Sequence, residues 1–125
     1  MVLIIREQMK YVTKEYLIDY SSPDEFCFAL RCDECGRELR STPVRFFKSG
    51  VVPISSEKQI VFDALYRREK EQAYEKAAAE LKTMINRCPV CQKIVCDHCF
   101  LICDDIDMCV DCARRLNEYG EPVLA

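Results

Sequence analysis

The chain has 125 residues, half of them hydrophobic and 31% charged, with 10 cysteines, one histidine and a formal net charge of −3. That length supports a single small core. The acidic balance argues against non-specific polyanion binding, which gains its affinity by neutralising phosphates with Lys and Arg; a local basic patch stays open.

At the N-terminus only Val2–Ile5 form an apolar run before charge resumes. Four residues are too few for a signal-peptide core or a membrane span, so the expectation is a cytoplasmic chain with no membrane contact. In a reducing compartment cysteines serve as metal ligands more readily than as a five-disulfide scaffold.

Residues 8–20 are rich in Tyr, Val, Thr, Leu and Ile and lead to a turn at Ser21-Ser22-Pro23-Asp24. Residues 25–31 then alternate, with Phe26, Phe28 and Leu30 on one face and Cys27, Ala29 and Arg31 on the other. The pattern predicts a hairpin, although Ile5, Met9, Val12 and Tyr16 also fit one helix face. Residues 42–47 read as a return strand, and residues 48–56, with Gly50 and Pro53, as a linker. Ser56 with Gln59 forms a capping-box signature. From there to about Asn86 no Gly or Pro occurs, which predicts a helix of ~31 residues and ~46 Å. Its apolar stripe runs through Phe62, Tyr66, Ala73, Ala77, Leu81 and Met84, interrupted by Lys70. A second, shorter helix is expected over 109–119, with Asp107 as N-cap and Gly120 and Pro122 as its end. The expected class is α+β, one composite domain. Residues 1–48 hold the hairpin and first cysteine knuckle, 49–87 the linker and long helix, and 88–125 the cysteine-rich module.

The chemistry lies in four C-x-x-C pairs: Cys32/Cys35, Cys88/Cys91, Cys96/Cys99 and Cys109/Cys112. Eight thiolates suffice for two tetrahedral four-cysteine Zn2+ sites. Joining alternate pairs puts 32/35 with 96/99 and 88/91 with 109/112; joining consecutive pairs puts 32/35 with 88/91. Four residues separate Cys91 from Cys96, a length suited to carrying the chain from one metal to the next. Seventeen lie between Cys91 and Cys109, room for a knuckle, a hairpin and a helix whose first turn supplies the last ligands. Spacing favours the alternating scheme and leaves the consecutive one open. Gly36, just after Cys35, suits the positive-φ position such knuckles need.

These pairs, with Ile94-Val95 between the middle two, resemble the cross-brace zinc fingers of the FYVE type over roughly the last forty residues plus Cys32/Cys35. The resemblance implies a treble-clef arrangement holding two structural Zn2+. Two departures matter. Fifty-two residues separate Cys35 from Cys88 where the family has a short loop, and Met84-Ile85-Asn86-Arg87 stands where the family's basic lipid-binding run would be. The architecture is expected to carry over and the lipid ligand is not. Cys32-Asp33-Glu34-Cys35-Gly36 with Cys88-Pro89-Val90-Cys91 also resembles rubredoxin-type knuckles, which hold iron or zinc. A fainter likeness is to small bacterial zinc-ribbon proteins, which carries no function with it.

Cys27 reads as a small buried side chain, Cys103 as a spare thiol or substitute ligand, and His98 as an exposed knuckle residue. One histidine leaves little material for Cys–His or Ser–His catalysis, and all-cysteine zinc sites are closed to substrate. The expectation is a non-catalytic interaction module with no small-molecule substrate, meeting a protein partner or a second copy through the 56–86 helix. The competing class is a nucleic-acid regulator using Arg37, Arg40, Arg45 and Lys48 with Phe46 and Phe47; thiol redox chemistry comes last.

Overall fold

The computed structural model describes residues 16–124, so most of the predicted 8–20 strand, and the alternative helix face through Ile5, Met9 and Val12, lie outside the described residues. The architecture is mixed α and β, with small antiparallel sheets and two helices among the described residues.

The predicted 25–31 strand is split at Cys27. Strand β1 (Ile18–Asp19) pairs with β3 (Phe28–Arg31), which also pairs with β4 (Glu38–Arg40). Strand β2 (Glu25–Phe26) pairs instead with β5 (Val44–Arg45), the core of the predicted 42–47 return strand. Ser41 marks the split: its N–H donates to the Phe28 carbonyl at 2.8 Å and its hydroxyl accepts from the Phe28 N–H at 3.0 Å. Residues Phe26 through Leu30 are all buried, so the expected alternation of faces gives way to burial on both sides.

Helix α1 covers Ser56–Lys82. Its N-cap is Ser55, not Ser56: the Ser55 hydroxyl accepts from the Lys58 N–H at 3.2 Å, and Gln59 uses its side-chain amide on Asp63 at 2.8 Å. The helix stops four residues before the predicted Asn86. Thr83 caps it, its hydroxyl donating to the Glu80 carbonyl at 2.7 Å. Ile85–Arg87 then forms β6 and pairs with β7 (Ile94–Cys96). Pairing places Ile85 among Leu30, Leu81 and Ile94, burial that one more helical turn would forfeit.

The apolar stripe of α1 is covered by the N-terminal strands. Phe46 packs edge-on against Phe62 and Tyr66, with ring centroids 5.4 and 5.3 Å away, and Phe26 lies 5.1 Å from Tyr66. Ala73 and Ala77 are small enough to let the strands approach and are buried with Phe28 in the same cluster. The Tyr66 hydroxyl donates to the Ser22 carbonyl at 2.9 Å. Lys70, the polar interruption, pairs with Asp19 at 2.7 Å. Burial pushes the Asp19 carboxyl up, but the bonds from Lys70 and Ser21 outweigh it and hold it below the usual value.

Beyond β7, β8 (Phe100–Cys103) lies between β9 (Met108–Cys109) and β10 (Gly120–Pro122). Helix α2 runs only from Val110 to Leu116, ended by Asn117 in the left-handed conformation at φ 55°. Asp107 is not its N-cap; that position belongs to Cys109, while the Asp107 carboxylate accepts from the Cys103 N–H at 3.1 Å and closes the β8–β9 turn. Gly120 serves strand pairing rather than helix termination. A Cβ there would press on the Ile102 carbonyl and come 2.8 Å from the Cys103 sulfur. The cysteine cluster and the α1 core are continuous through Leu39, which packs against both.

Candidate metal centres

Two knuckles with the same backbone path present the first two cysteines of each group. In one, the Cys32 N–H donates to the Arg37 carbonyl at 2.9 Å and the Gly36 N–H to the Cys32 carbonyl at 3.0 Å. In the other, Cys88 N–H donates to Lys93 and Gln92 N–H to Cys88, both at 2.8 Å. The residue after the second cysteine has positive φ in each, Gly36 at 76° and Gln92 at 70°. Cys96 and Cys99 come from the end of β7 and the tight turn into β8, where the Cys99 N–H donates to the Cys96 carbonyl at 3.0 Å. Cys109 and Cys112 come from the N-cap and first turn of α2.

The sulfurs gather in the alternating order. Those of Cys32, Cys35, Cys96 and Cys99 lie within 4.8 Å of one another, as do those of Cys88, Cys91, Cys109 and Cys112. The consecutive, rubredoxin-like grouping of 32/35 with 88/91 is not the one formed. Sulfur–sulfur distances are 3.7 Å for Cys35–Cys96, Cys96–Cys99 and Cys91–Cys109, and 3.8 Å for Cys88–Cys112. A tetrahedron with Zn–S bonds of ~2.3 Å has edges of ~3.8 Å. No disulfide links any of the ten cysteines. Both groups therefore fit a tetrahedral, thiophilic metal ion in number, spacing and donor type.

Backbone N–H groups converge on the first sulfur of each set. The Cys32 sulfur accepts from Glu34, Cys35 and Cys96 at 3.4, 3.5 and 3.2 Å. The Cys88 sulfur accepts from the Cys109 N–H at 3.3 Å, and the Cys109 sulfur from the Cys112 N–H at 3.4 Å. Burial raises the Cys32 and Cys88 thiols, but these N–H groups outweigh it and bring both down to about 7. Burial, reinforced by neighbouring sulfurs, holds Cys99 high and pushes Cys109 up to about 12. Four thiolates can share so small a volume when a cation offsets their repulsion.

Two supports escape motif reading. The Asp33 N–H donates to the Ile94 carbonyl and its carboxylate accepts from the Ile94 N–H, both at 2.8 Å, pinning the first knuckle to β7. The Arg115 guanidinium donates to the Cys112 sulfur at 3.2 Å. Spacing of three on α2 carries a signal for the second; nothing in the sequence points to the first.

His98 is half-buried rather than exposed and belongs to neither sulfur group. Cys103 is half-buried on β8 and also outside both. Cys27 is buried, its thiol 3.5 Å from the Ser41 carbonyl. In the basic stretch, Arg40 stacks over Tyr20 at 4.3 Å, and Glu38 pairs with both Arg40 and Arg31. No helix among the described residues is long and apolar enough to cross a membrane. No family model matches the chain, and neither a search of curated proteins nor one of solved structures finds a match.

Proposed function

We propose that the chain is a zinc-stapled, non-catalytic protein-interaction module of the cytoplasm, built on a FYVE-like cross-brace of treble-clef type without the lipid-binding function. The supporting observation is the pair of closed four-sulfur groups at tetrahedral spacing. Bound zinc would supply cross-links and charge compensation at Cys32, Cys35, Cys96 and Cys99, and at Cys88, Cys91, Cys109 and Cys112. A catalytic zinc keeps an open position, usually beside His or carboxylate ligands; four thiolates per site leave none. Zinc is preferred over iron in this reading, because a closed four-thiolate site is the usual setting of a structural zinc ion; iron found by metal analysis would overturn that choice.

The interaction role rests on the N-terminal end of α1 and the loop before it. Ile54 and Val52, in the loop before α1, are 91% and 81% exposed, and Ile60 and Val61 in its first turns are 69% and 55% exposed. Binding to nucleic acid through Arg37–Lys48 is less favoured, because Glu38 already engages two of the nearby arginines. Native mass spectrometry should find two zinc ions per chain, and a disulfide-reductase assay should find no activity with or without metal. Tight DNA or RNA binding that weakens steeply with salt would replace this reading with the nucleic-acid one.

A further inference from the structure

One face of α1 stays uncovered by the rest of the fold. Phe62, Tyr66, Ala73 and Ala77 turn toward the N-terminal strands, whereas Glu57, Val61, Ala64 and Arg68 are all exposed. Steps of four, three and four residues put these last four on a single helical stripe. In order it reads acidic, apolar, small, basic. Among the described residues, neither Glu57 nor Arg68 takes part in a salt bridge.

That order is self-complementary in one orientation only. When two such helices cross antiparallel about a twofold axis between Val61 and Ala64, Glu57 of each copy faces Arg68 of the other. Each Val61 then packs on the other copy's Ala64, small enough to let the helices approach. A parallel crossing would set Glu57 against Glu57 and Arg68 against Arg68, which is repulsive. Flanking apolar surface is ample. Val51, Val52, Ile54, Ile60 and Val61 are 50–91% exposed, apolar side chains available to extend an interface whose standard size is ~800 Å2 per copy. Val51, Val52, Ile54 and Val61 line one surface depression, and exposed apolar side chains gathered in this way tend to mark an interaction surface.

We propose that the Glu57–Val61–Ala64–Arg68 face of α1 is a homodimer interface, on which a second copy of this chain docks antiparallel. This rests on the interaction-module reading and names the partner. Metal content is measured separately, so the two can fail independently.

Sedimentation velocity of the full zinc-loaded chain across the micromolar range provides the test. Wild type is expected to dimerise. Glu57→Arg or Arg68→Glu alone turns two attractive contacts into repulsive ones and should weaken the dimer at least ~10-fold, since like charges across an interface cost several kcal/mol. The double variant E57R/R68E should restore it, and Val61→Asp should yield monomer. These side chains are exposed, so every variant should keep the wild-type zinc content and circular dichroism. A wild-type monomer throughout the range overturns the proposal, as does a dimer indifferent to Val61→Asp, or one that the double charge swap fails to rescue.

Discussion

Gly36 and Gln92 occupy the same position in the two knuckles, and the difference between them is measurable. Both have positive φ, a conformation that costs a residue with a Cβ roughly 1 kcal/mol. Gly36 has nothing within 4 Å of an added Cβ, so Gly36→Ala isolates the backbone cost. It should weaken zinc binding at the first group by about fivefold in a competition titration, the equivalent of ~1 kcal/mol. Gln92→Gly should strengthen the second group by a smaller factor, because the Gln92 side-chain amide already donates to the Pro89 carbonyl at 3.0 Å and that bond is lost. The cysteines divide more sharply. Cys91→Ser or Cys109→Ser removes one corner of a buried metal group and should lose one zinc and unfold the C-terminal half, read by native mass spectrometry and circular dichroism. Cys27→Ser, outside both groups, keeps a donor to the Ser41 carbonyl and should cost no more than ~1 kcal/mol.

At the level of elements, α1 carries the largest packing demand. Ala77 is 5% exposed beneath the aromatic strands, so Ala77→Glu buries an unpaired carboxylate and should destabilise by at least ~3 kcal/mol in denaturant unfolding. Ala64→Glu, on the exposed face, should leave monomer stability within ~0.5 kcal/mol. The body of this helix is legible in the sequence because no Gly or Pro interrupts it. Its end is not: Thr83-Met84-Ile85-Asn86 contains no breaker, and strand pairing of Ile85–Arg87 with Ile94–Cys96, a tertiary gain, overrides local propensity. The same cause hides the break at Cys27, where an alternating run changes partners because Ser41 reaches Phe28. The alternating cysteine order, by contrast, is foreshadowed by gap lengths alone, since four residues between Cys91 and Cys96 favour a crossing between metals. The stripe through Phe62 and Tyr66 is visible as apolar, but its cover depends on where Phe26 and Phe46 land, which periodicity does not reveal.

Across the whole molecule, the two sulfur groups tie together segments far apart in sequence. The first joins the N-terminal knuckle at Cys32 and Cys35 to the β7–β8 turn, and the second joins the β6–β7 knuckle to α2. Zinc-bound thiolates have pKa values depressed below the free value of ~8.5. Their stabilisation is therefore complete above that pH and falls as protons compete with metal at lower pH. Acid titration should release zinc and lose tertiary structure in the same pH window, followed by a zinc-sensitive dye and near-ultraviolet circular dichroism together. The most direct test of the central claim is metal stoichiometry coupled to chelation. The account predicts two zinc ions per chain by native mass spectrometry, and loss of folded structure when a strong chelator removes them under reducing conditions. One zinc or none, or an unchanged circular dichroism spectrum after complete removal, would contradict it.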